Sequence, residues 1–220
     1  MTHIEKIHFL HQLYQYRALG FNYIKHERNL TPPSVVVSDG SLQTLEKSLL
    51  ACQLCALAKC RKKVVFGEGN PSASIMFIGE GPGASEDESG RPFVGRAGQL
   101  LTKIIENVLH VKRSEVYIAN IVKCRPPKNR VPFPEEVDAC KPFLLQQIAQ
   151  INPRIIVALG STSYHHLTGE FDSKITQVRG QVIAFGDAKL VPTYHPSFLL
   201  RNPSAKKEVY LDMLKVKSLL

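Results

Sequence analysis

The sequence predicts an α/β fold: a three-layer α/β/α sandwich around a central, mostly parallel sheet of four to five strands, with an N-terminal helical extension. Three runs of aliphatic and β-branched residues, at 74–79, 115–122 and 154–160, have the length and composition of buried strands. A turn and then residues of helical period follow each run, and strands that alternate with helices form parallel sheets covered on both faces. Candidate strands at 181–186 and 189–195 extend the sheet.

Two helices can be placed between these strands. The segment 96–110 carries apolar residues at spacings of three and four, which predicts an amphipathic helix. Pro134, followed by two glutamates, indicates the start of another helix, because proline and acidic residues are favoured in a first turn. In sheets of this class, ligands bind beyond the carboxyl ends of the strands. The loop after residue 79, Asn120 and His195 are expected at or near that edge.

The chain divides into a predicted N-terminal extension, residues 1–47, and a main domain, residues 48–220. The extension begins with a plausible helix and continues through a connector at 31–41, where prolines and a glycine interrupt regular structure. Three histidines near the N-terminus would suit a metal, but we expect them to decorate a solvated helix. They are His3, His8 and His11.

Bulk composition favours a globular protein with a polyanionic partner. Of the 220 residues, 44% are hydrophobic and 21% are charged, which is ordinary for a soluble domain. The net charge of +9 and the pI of about 9.4 favour a polyanionic partner. No apolar run approaches the length of a membrane span, and the N-terminus lacks the apolar core of a secretory signal. We therefore expect a cytoplasmic protein without a membrane partner.

The cysteines indicate a metal site. There are five of them in a chain without an export signal, so disulfides are not expected. Cys52 and Cys55 form a C-x-x-C, whereas Cys124 and Cys140 lie far downstream. Four thiolates suit either zinc or an iron–sulfur cluster, and their spacing leaves that choice open, although the missing second C-x-x-C favours a cluster. Cys60 could compete with Cys55 as a ligand, and five unrelated buried thiols are the alternative.

The loop "GEGPGASEDES", which begins at Gly79, has glycine spacing close to that of the dinucleotide-binding fingerprint. Two features argue against a bound pyrophosphate. Pro82 removes a backbone donor, and the acidic residues 86–88 would repel an anion. Glycines also let a backbone approach a flat base closely, and Phe93 further along offers an apolar face for stacking. The loop is therefore interpreted as part of a base pocket.

Three motifs occur in a fixed order: this loop, "NIVKCRPPKNRVP" at 120–132, and "HPSFLLRNP" at 195–203. Together with the cysteine pattern they give a specific resemblance, from about Leu49 to near the C-terminus. The chain resembles the family 4 uracil-DNA glycosylases, the iron–sulfur branch of the uracil-DNA glycosylase superfamily. The resemblance implies a [4Fe-4S] cluster and leaves Cys60 as a non-ligand. Its implied ligands are Cys52, Cys55, Cys124 and Cys140.

The resemblance also implies a function. A monofunctional repair enzyme of this family flips uracil out of single- or double-stranded DNA and hydrolyses its N-glycosidic bond, leaving an abasic site. We expect it to act as a monomer. Phe93 would stack on the base, and the amide of Asn120 would read its Watson–Crick edge. The implied uracil-binding residues are Gly79, Glu80, Gly81, Phe93, Asn120 and His195.

Two residues are expected to act in catalysis. His195 would stabilise the negative charge that collects on uracil O2 as the bond breaks. Gly81 occupies the place where better-known relatives carry an aspartate, so the usual general base is missing. Glu80 is the candidate for positioning the water, and Glu86 and Asp87 are weaker ones.

Contacts to DNA are expected in two loops. After His195, the side chains of Leu199 and Leu200 are predicted to wedge into the base stack, while Ser197 and Arg201 contact the backbone. Around Cys124, four basic residues place positive charge beside the cluster, which is expected to stiffen their DNA-contacting loop. These residues are Lys123, Arg125, Lys128 and Arg130.

Two other functions share these motifs. One is an iron–sulfur DNA-binding protein that retains the pocket without catalysis. The other is the crosslinking relative that traps the sugar on a histidine of an insert after the asparagine strand. The corresponding segment here, "KCRPPKNRVPFPEE", has no histidine, which disfavours crosslinking.

Overall fold

The computed structural model of the protein describes residues 41–220. His3, His8 and His11 and most of the predicted extension lie outside the described residues. The division at residue 47 stays a prediction.

The part of the chain that the structure describes contains a six-stranded sheet with the order β1-β3-β2-β4-β6-β5. Its four central strands are parallel, and the short edge strands β1 and β5 run antiparallel to their neighbours. All five predicted strands are confirmed. The strand β1 was not predicted, because two residues are too few to show a periodic pattern. The bounds are β1 Glu68–Gly69, β2 Ile75–Gly79, β3 Tyr117–Asn120, β4 Ile155–Leu159, β5 Ile183–Phe185 and β6 Ala188–Thr193.

Helices connect the strands and cover the sheet. The helix predicted to start at Pro134 is confirmed. The helix predicted over 96–110 is α-helical to Ile104 and continues as a π-helical turn to Leu109. The α-helices are α1 Leu42–Leu50, α2 Ala84–Ser89, α3 Arg96–Ile104, α4 Pro134–Ile151, α5 Ser161–Thr168, α6 Ile175–Val178, α7 Pro196–Arg201 and α8 Lys206–Ser218. Shorter 3₁₀ turns lie at Ala56–Lys59, Arg113–Glu115, Pro127–Asn129 and Pro203–Ala205.

The core has two layers because side chains alternate across a strand. On β2, Met76 and Ile78 join a cluster that includes residues of α4 and α5. Ile75 and Phe77 face the other way and join a cluster that includes residues of α3 and α8. Burial on both faces explains why the central strands are uninterrupted apolar runs. The predicted α/β/α sandwich is confirmed.

The strand register brings several loops to one edge of the sheet. Gly79 at the end of β2 pairs with Asn120 at the end of β3. Leu159 at the end of β4 pairs with Thr193 at the end of β6. The loops that follow the four parallel strands therefore begin side by side.

A buried carboxylate holds α8 against the sheet. Asp212 is 3% exposed. Its Oδ1 lies 2.6 Å from Nη2 of Arg179, and its Oδ2 accepts a 2.7 Å hydrogen bond from the hydroxyl of Thr193 on β6. One side chain thus joins α8, β6 and the segment between α6 and β5.

We expect the substitution Asp212→Ala to lower the free energy of unfolding by about 3 kcal/mol, because it leaves a guanidinium and a hydroxyl without their buried partner. Glu208→Ala is the matched control, since Glu208 lies on the same helix and contacts the same Arg179 but is exposed. Its effect should stay below about 1 kcal/mol. Urea unfolding measures both, and equal losses would contradict the assignment.

Candidate functional site

A cavity of about 620 Å³ opens at the carboxyl edge of the parallel strands. Its walls come from the loops after β2, β3, β4 and β6, the placement expected for a ligand site in this class of sheet. Gly79, the last residue of β2, directly precedes the lining residue Glu80. The predicted site residues that line it are Glu80, Gly81, Phe93, Asn120, His195, Ser197 and Arg201.

Asn120 presents an unpaired amide oxygen at this cavity. The residue ends β3 and is only 1% exposed. Its Oδ1 has no hydrogen-bond partner among the described residues, although buried polar atoms in folded proteins are nearly always paired. A ligand that donates a hydrogen bond at this point would satisfy it.

Position 79 has no room for a side chain, because Asn120 and Phe93 pack against it. A Cβ added to Gly79 would lie 2.5 Å from Oδ1 of Asn120 and 2.5 Å from Cζ of Phe93. No real side chain tolerates such contacts, so the absence of a Cβ allows the asparagine and the phenyl ring to meet over the end of β2.

Phe93 is held in a strained backbone conformation. Its φ is +51°, in the left-handed region that non-glycine residues rarely adopt. Gly98 on α3 packs directly against it, since an added Cβ there would lie 1.9 Å from the carbonyl oxygen of Phe93. The ring is buried, with its centroid 5.7 Å from that of His195.

The carboxylate of Glu86 secures the loop around this ring. Its Oε1 accepts 2.9 Å hydrogen bonds from the backbone N–H groups of Val94 and Gly95, and its Oε2 accepts one from Gly83. Asp87 is buried and accepts a 2.9 Å hydrogen bond from the N–H of Lys62. Both carboxylates are therefore engaged by backbone donors, which disfavours a role for either in positioning water.

His195 is a half-buried, neutral imidazole with a defined proton. Its Nδ1 accepts a 3.1 Å hydrogen bond from the backbone N–H of Ser197, the first turn of α7, and lies 2.8 Å from the Ser197 hydroxyl. Because a backbone N–H can only donate, Nδ1 is an acceptor and the proton of the neutral ring is on Nε2. Burial, aided by the positive charge of Arg201, lowers the pKa of His195 to about 4.

Glu80 connects the loop after β2 to the start of α5. Its Oε2 accepts a 2.6 Å hydrogen bond from the hydroxyl of Thr162, another residue that lines the cavity. Oε1 has no hydrogen bond within residues 41–220. Sequence reasoning missed Thr162, because it lies far from Glu80 along the chain and belongs to no motif.

The loop after His195 corrects one assignment. Leu199 is fully buried in the core beneath α7, so the prediction that it wedges into DNA is wrong. The helical turn points it inward and leaves Leu200, 37% exposed, as the apolar side chain at the surface. Arg201 is exposed at the rim of the cavity. Ser197 contacts His195, and its contact to a phosphate stays a prediction.

The cysteines separate into four neighbours and one exposed thiol. Cys124 and Cys140 are buried, Cys52 and Cys55 are half-buried, and Cys60 is exposed. Burial, above all, and the thiols of Cys55 and Cys52 raise the pKa of Cys124. Burial raises the pKa of Cys140 to about 11, and Cys124 and Cys55 contribute to that rise. Within residues 41–220, no three His, Cys, Asp or Glu side chains converge as ligands of a single metal ion.

Each of the two buried sulfurs, those of Cys124 and Cys140, accepts a hydrogen bond. Nη1 of Arg61 lies 3.2 Å from Sγ of Cys124, and the backbone N–H of Lys123 lies 3.3 Å from Sγ of Cys140. Such hydrogen bonds stabilise thiolates, the form in which cysteine binds metals.

The basic residues near Cys124 do not all face solvent. Lys123 is completely buried and its ammonium donates to Oε1 of Gln147, so the prediction that it contacts DNA is wrong. The prediction failed because a lysine beside other basic residues is normally exposed. Lys128 is exposed, and Arg125 and Arg130 are half-buried.

None of the helices in the described part of the chain is long and apolar enough to cross a membrane.

Comparisons with known proteins identify the family of the chain. Residues 66–215 match the sequence model of the uracil DNA glycosylase superfamily. The type-4 uracil-DNA glycosylase of Thermotoga maritima is 48% identical to the chain, over 80% of it and 93% of that relative. The enzymes of that name from Sulfurisphaera tokodaii and Saccharolobus solfataricus are 45% and 46% identical over 81% and 82% of this chain, and 84% and 87% of their own lengths. The chain belongs to the uracil DNA glycosylase superfamily and, within it, to the type-4 uracil-DNA glycosylases.

We expect the imidazole of His195 to stay neutral in the folded protein down to about pH 4, with the ordinary pKa of 6.5 restored on unfolding. Because the folded pKa lies below the unfolded one, the contribution of this histidine to stability is lost as the pH falls from about 6.5 through about 4. NMR titration of the ring, in folded protein and in urea, measures both values. A folded pKa at or above 6.5 would contradict the desolvated, neutral ring.

Proposed function

We propose that this protein removes uracil from DNA by hydrolysing the N-glycosidic bond, which leaves an abasic site for base excision repair. The observation that carries the proposal is the buried, unpaired Oδ1 of Asn120 at the cavity. The names of the type-4 relatives support the same reaction.

Asn120 is proposed to select uracil. Its Oδ1 would accept from uracil N3–H, and its side-chain NH₂ would donate to O4. Cytosine presents an acceptor at N3 and a donor at its 4-amino group, so both contacts would be mismatched. Phe93 would stack on the flipped base, its ring held by the strained backbone and the hydrogen bonds of Glu86.

His195 is proposed to stabilise the leaving group. As the glycosidic bond breaks, its electron pair moves into the uracil ring and negative charge collects on O2. The proton on Nε2 is free to donate to that oxygen, because Ser197 occupies Nδ1. The low pKa keeps the ring a neutral donor at physiological pH, and a partly desolvated donor aimed at developing charge is worth more than one in water.

Glu80 is proposed to position the attacking water through Oε1, while the hydroxyl of Thr162 holds Oε2. Gly81 contributes no carboxylate, and an added Cβ there would lie 2.8 Å from Cγ2 of Val122. A modest base suffices if departure of the uracil anion accounts for most of the barrier.

DNA is proposed to bind over the mouth of the cavity. Leu200 would enter the space that the flipped base vacates, and Arg201 and Ser197 would contact the backbone. Lys128 would add to the attraction, as does the net charge of +9. We propose a monomeric, cytoplasmic enzyme that acts on single- or double-stranded DNA.

The thiolates of Cys52, Cys55, Cys124 and Cys140 are proposed to hold a [4Fe-4S] cluster. The donor set fits, since the sulfurs of Cys124 and Cys140 each accept a hydrogen bond and nearby thiols raise the pKa of both. Each thiolate would bind a different iron, so convergence on one point is not required. When bound, the cluster would act as a structural crosslink and take no redox part in base removal.

The cluster proposal predicts different results for two cysteines. Cys124→Ser should lower the iron and sulfide content and the Tm, because the crosslink between the loops is lost. Cys60→Ser is the matched control and should retain both, since Cys60 is exposed and not among the proposed ligands. Metal analysis and thermal unfolding test this. Full iron content in Cys124→Ser, or its loss in Cys60→Ser, would refute the ligand set.

The function is tested by incubating the protein with oligonucleotides that contain a single uracil and counting abasic sites. The Asn120→Asp variant should excise uracil at least about 100-fold more slowly, because a carboxylate repels O4. Its rate of cytosine excision relative to uracil excision should rise. Asn152→Asp is the control, since Asn152 is an exposed residue that ends α4 and does not line the cavity.

No abasic sites with folded, cluster-containing wild-type protein would favour a DNA-binding protein without catalysis. Unchanged uracil selectivity in Asn120→Asp would remove Asn120 from base recognition.

A further inference from the structure

Phe93, the residue proposed to stack on uracil, has a backbone conformation that depends on its surroundings. Its φ of +51° is unfavourable for a residue with a Cβ, and such conformations persist where neighbouring contacts fix them. The loop that carries it, residues 91–95, lies between α2 and α3 and is irregular. Contacts from other segments must therefore hold the ring in place.

The peptide groups on both sides of Phe93 are bound by side chains of opposite charge. After the ring, the carboxylate of Glu86 accepts hydrogen bonds from the next two backbone N–H groups. Before it, Nη2 of Arg113 donates a 2.7 Å hydrogen bond to the carbonyl oxygen of Pro92. Hydrogen bonds with one ionised partner are stronger than those between neutral groups. The chain is thus fixed on either side of the strained residue.

The guanidinium of Arg113 is itself oriented by two further contacts. Its Nη1 donates a 3.0 Å hydrogen bond to Oγ1 of Thr102 on α3, and its Nε lies 3.7 Å from Oε1 of Glu68 on β1. The side chain is only 17% exposed. Because the guanidinium is a rigid planar fork, contacts to three segments fix its position. Arg113 begins the 3₁₀ turn before β3 and belongs to none of the three motifs of the sequence.

We propose that Arg113 is a positioning residue for base excision and that, together with Glu86, it holds the ring of Phe93 where a flipped base stacks. The inference rests on the proposed function. Arg113 does not line the cavity, so we expect its effect on the base to pass through the ring. A displacement of about 1 Å at a positioning group can slow a reaction by about 100-fold, even when the altered residue is remote from the reacting bond.

Arg113→Met removes the donors and retains an apolar chain. We expect it to slow single-turnover excision of uracil by about 10-fold and to raise the inhibition constant of free uracil by a similar factor, because the ring stacks less well. The affinity for a duplex without uracil should not change, since the ring acts on the flipped base. All three quantities are measured well below the Tm of each variant.

A double-mutant cycle with Phe93→Ala separates positioning from general stability. If Arg113 acts through the ring, Arg113→Met should slow excision by less than about twofold in the Phe93→Ala background. Arg91→Met is the matched control, because Arg91 lies in the same loop and pairs with the same Glu68 but is exposed. It should retain the wild-type excision rate and uracil affinity.

An unchanged excision rate and uracil affinity in Arg113→Met would overturn the role of Arg113. An equal loss with and without the Phe93 ring would also overturn it, because the damage would then not pass through the ring. If Arg113→Met does not fold, the neutral but polar Arg113→Gln replaces it in the cycle and is judged by the same two criteria. Folded wild-type protein that produces no abasic sites would instead refute the proposed function.

Discussion

The parallel register of β2 and β3 is the constraint on which the candidate site depends. It sets Gly79 beside Asn120, and the missing side chain of Gly79 lets the Asn120 amide and the ring of Phe93 come together. The ends of β4 and β6 reach the same edge and bring the loops of Thr162 and His195 to the same cavity. A shift of one residue in this register would turn the Asn120 side chain to the opposite face of the sheet.

Burial then determines the chemistry that these groups can perform. It leaves Oδ1 of Asn120 without a hydrogen-bond partner among the described residues, so a matching donor on a ligand is favoured. It keeps His195 neutral, and the hydrogen bond from Ser197 places its proton on Nε2. The cavity therefore holds its donors and acceptors ready before any base enters, which reduces the cost of reorganisation.

The segment from Cys124 to Cys140 connects the cysteine region to this cavity. Its residues Pro126, Asn129 and Arg130 line the cavity wall. The guanidinium of Arg130 forms a bidentate pair with the buried carboxylate of Glu136 in the first turn of α4, the helix that carries Cys140. A crosslink at the cysteines would therefore limit the motion of a wall of the candidate base pocket.

Much of this organisation could be predicted from the sequence, because it is written in local patterns. The apolar runs marked the five longer strands, Pro134 marked the start of α4, and the motifs around Gly79, Asn120 and His195 marked the cavity. Leu199 and Lys123 were misassigned because motif and charge do not reveal which way a side chain points. The hydrogen bonds of Glu86 and the pairing of Glu80 with Thr162 also left no local signal.

The sequence by itself determined the α/β class, the order of the strands and helices along the chain, and the family, since periodicity and motif spacing are properties of neighbouring residues. Only the tertiary structure decided which polar groups are buried without partners, which proton His195 carries and which lysine lies inside the protein. Those properties depend on desolvation and on contacts between segments that are distant in the chain, and they exist only once the sheet has brought the segments together.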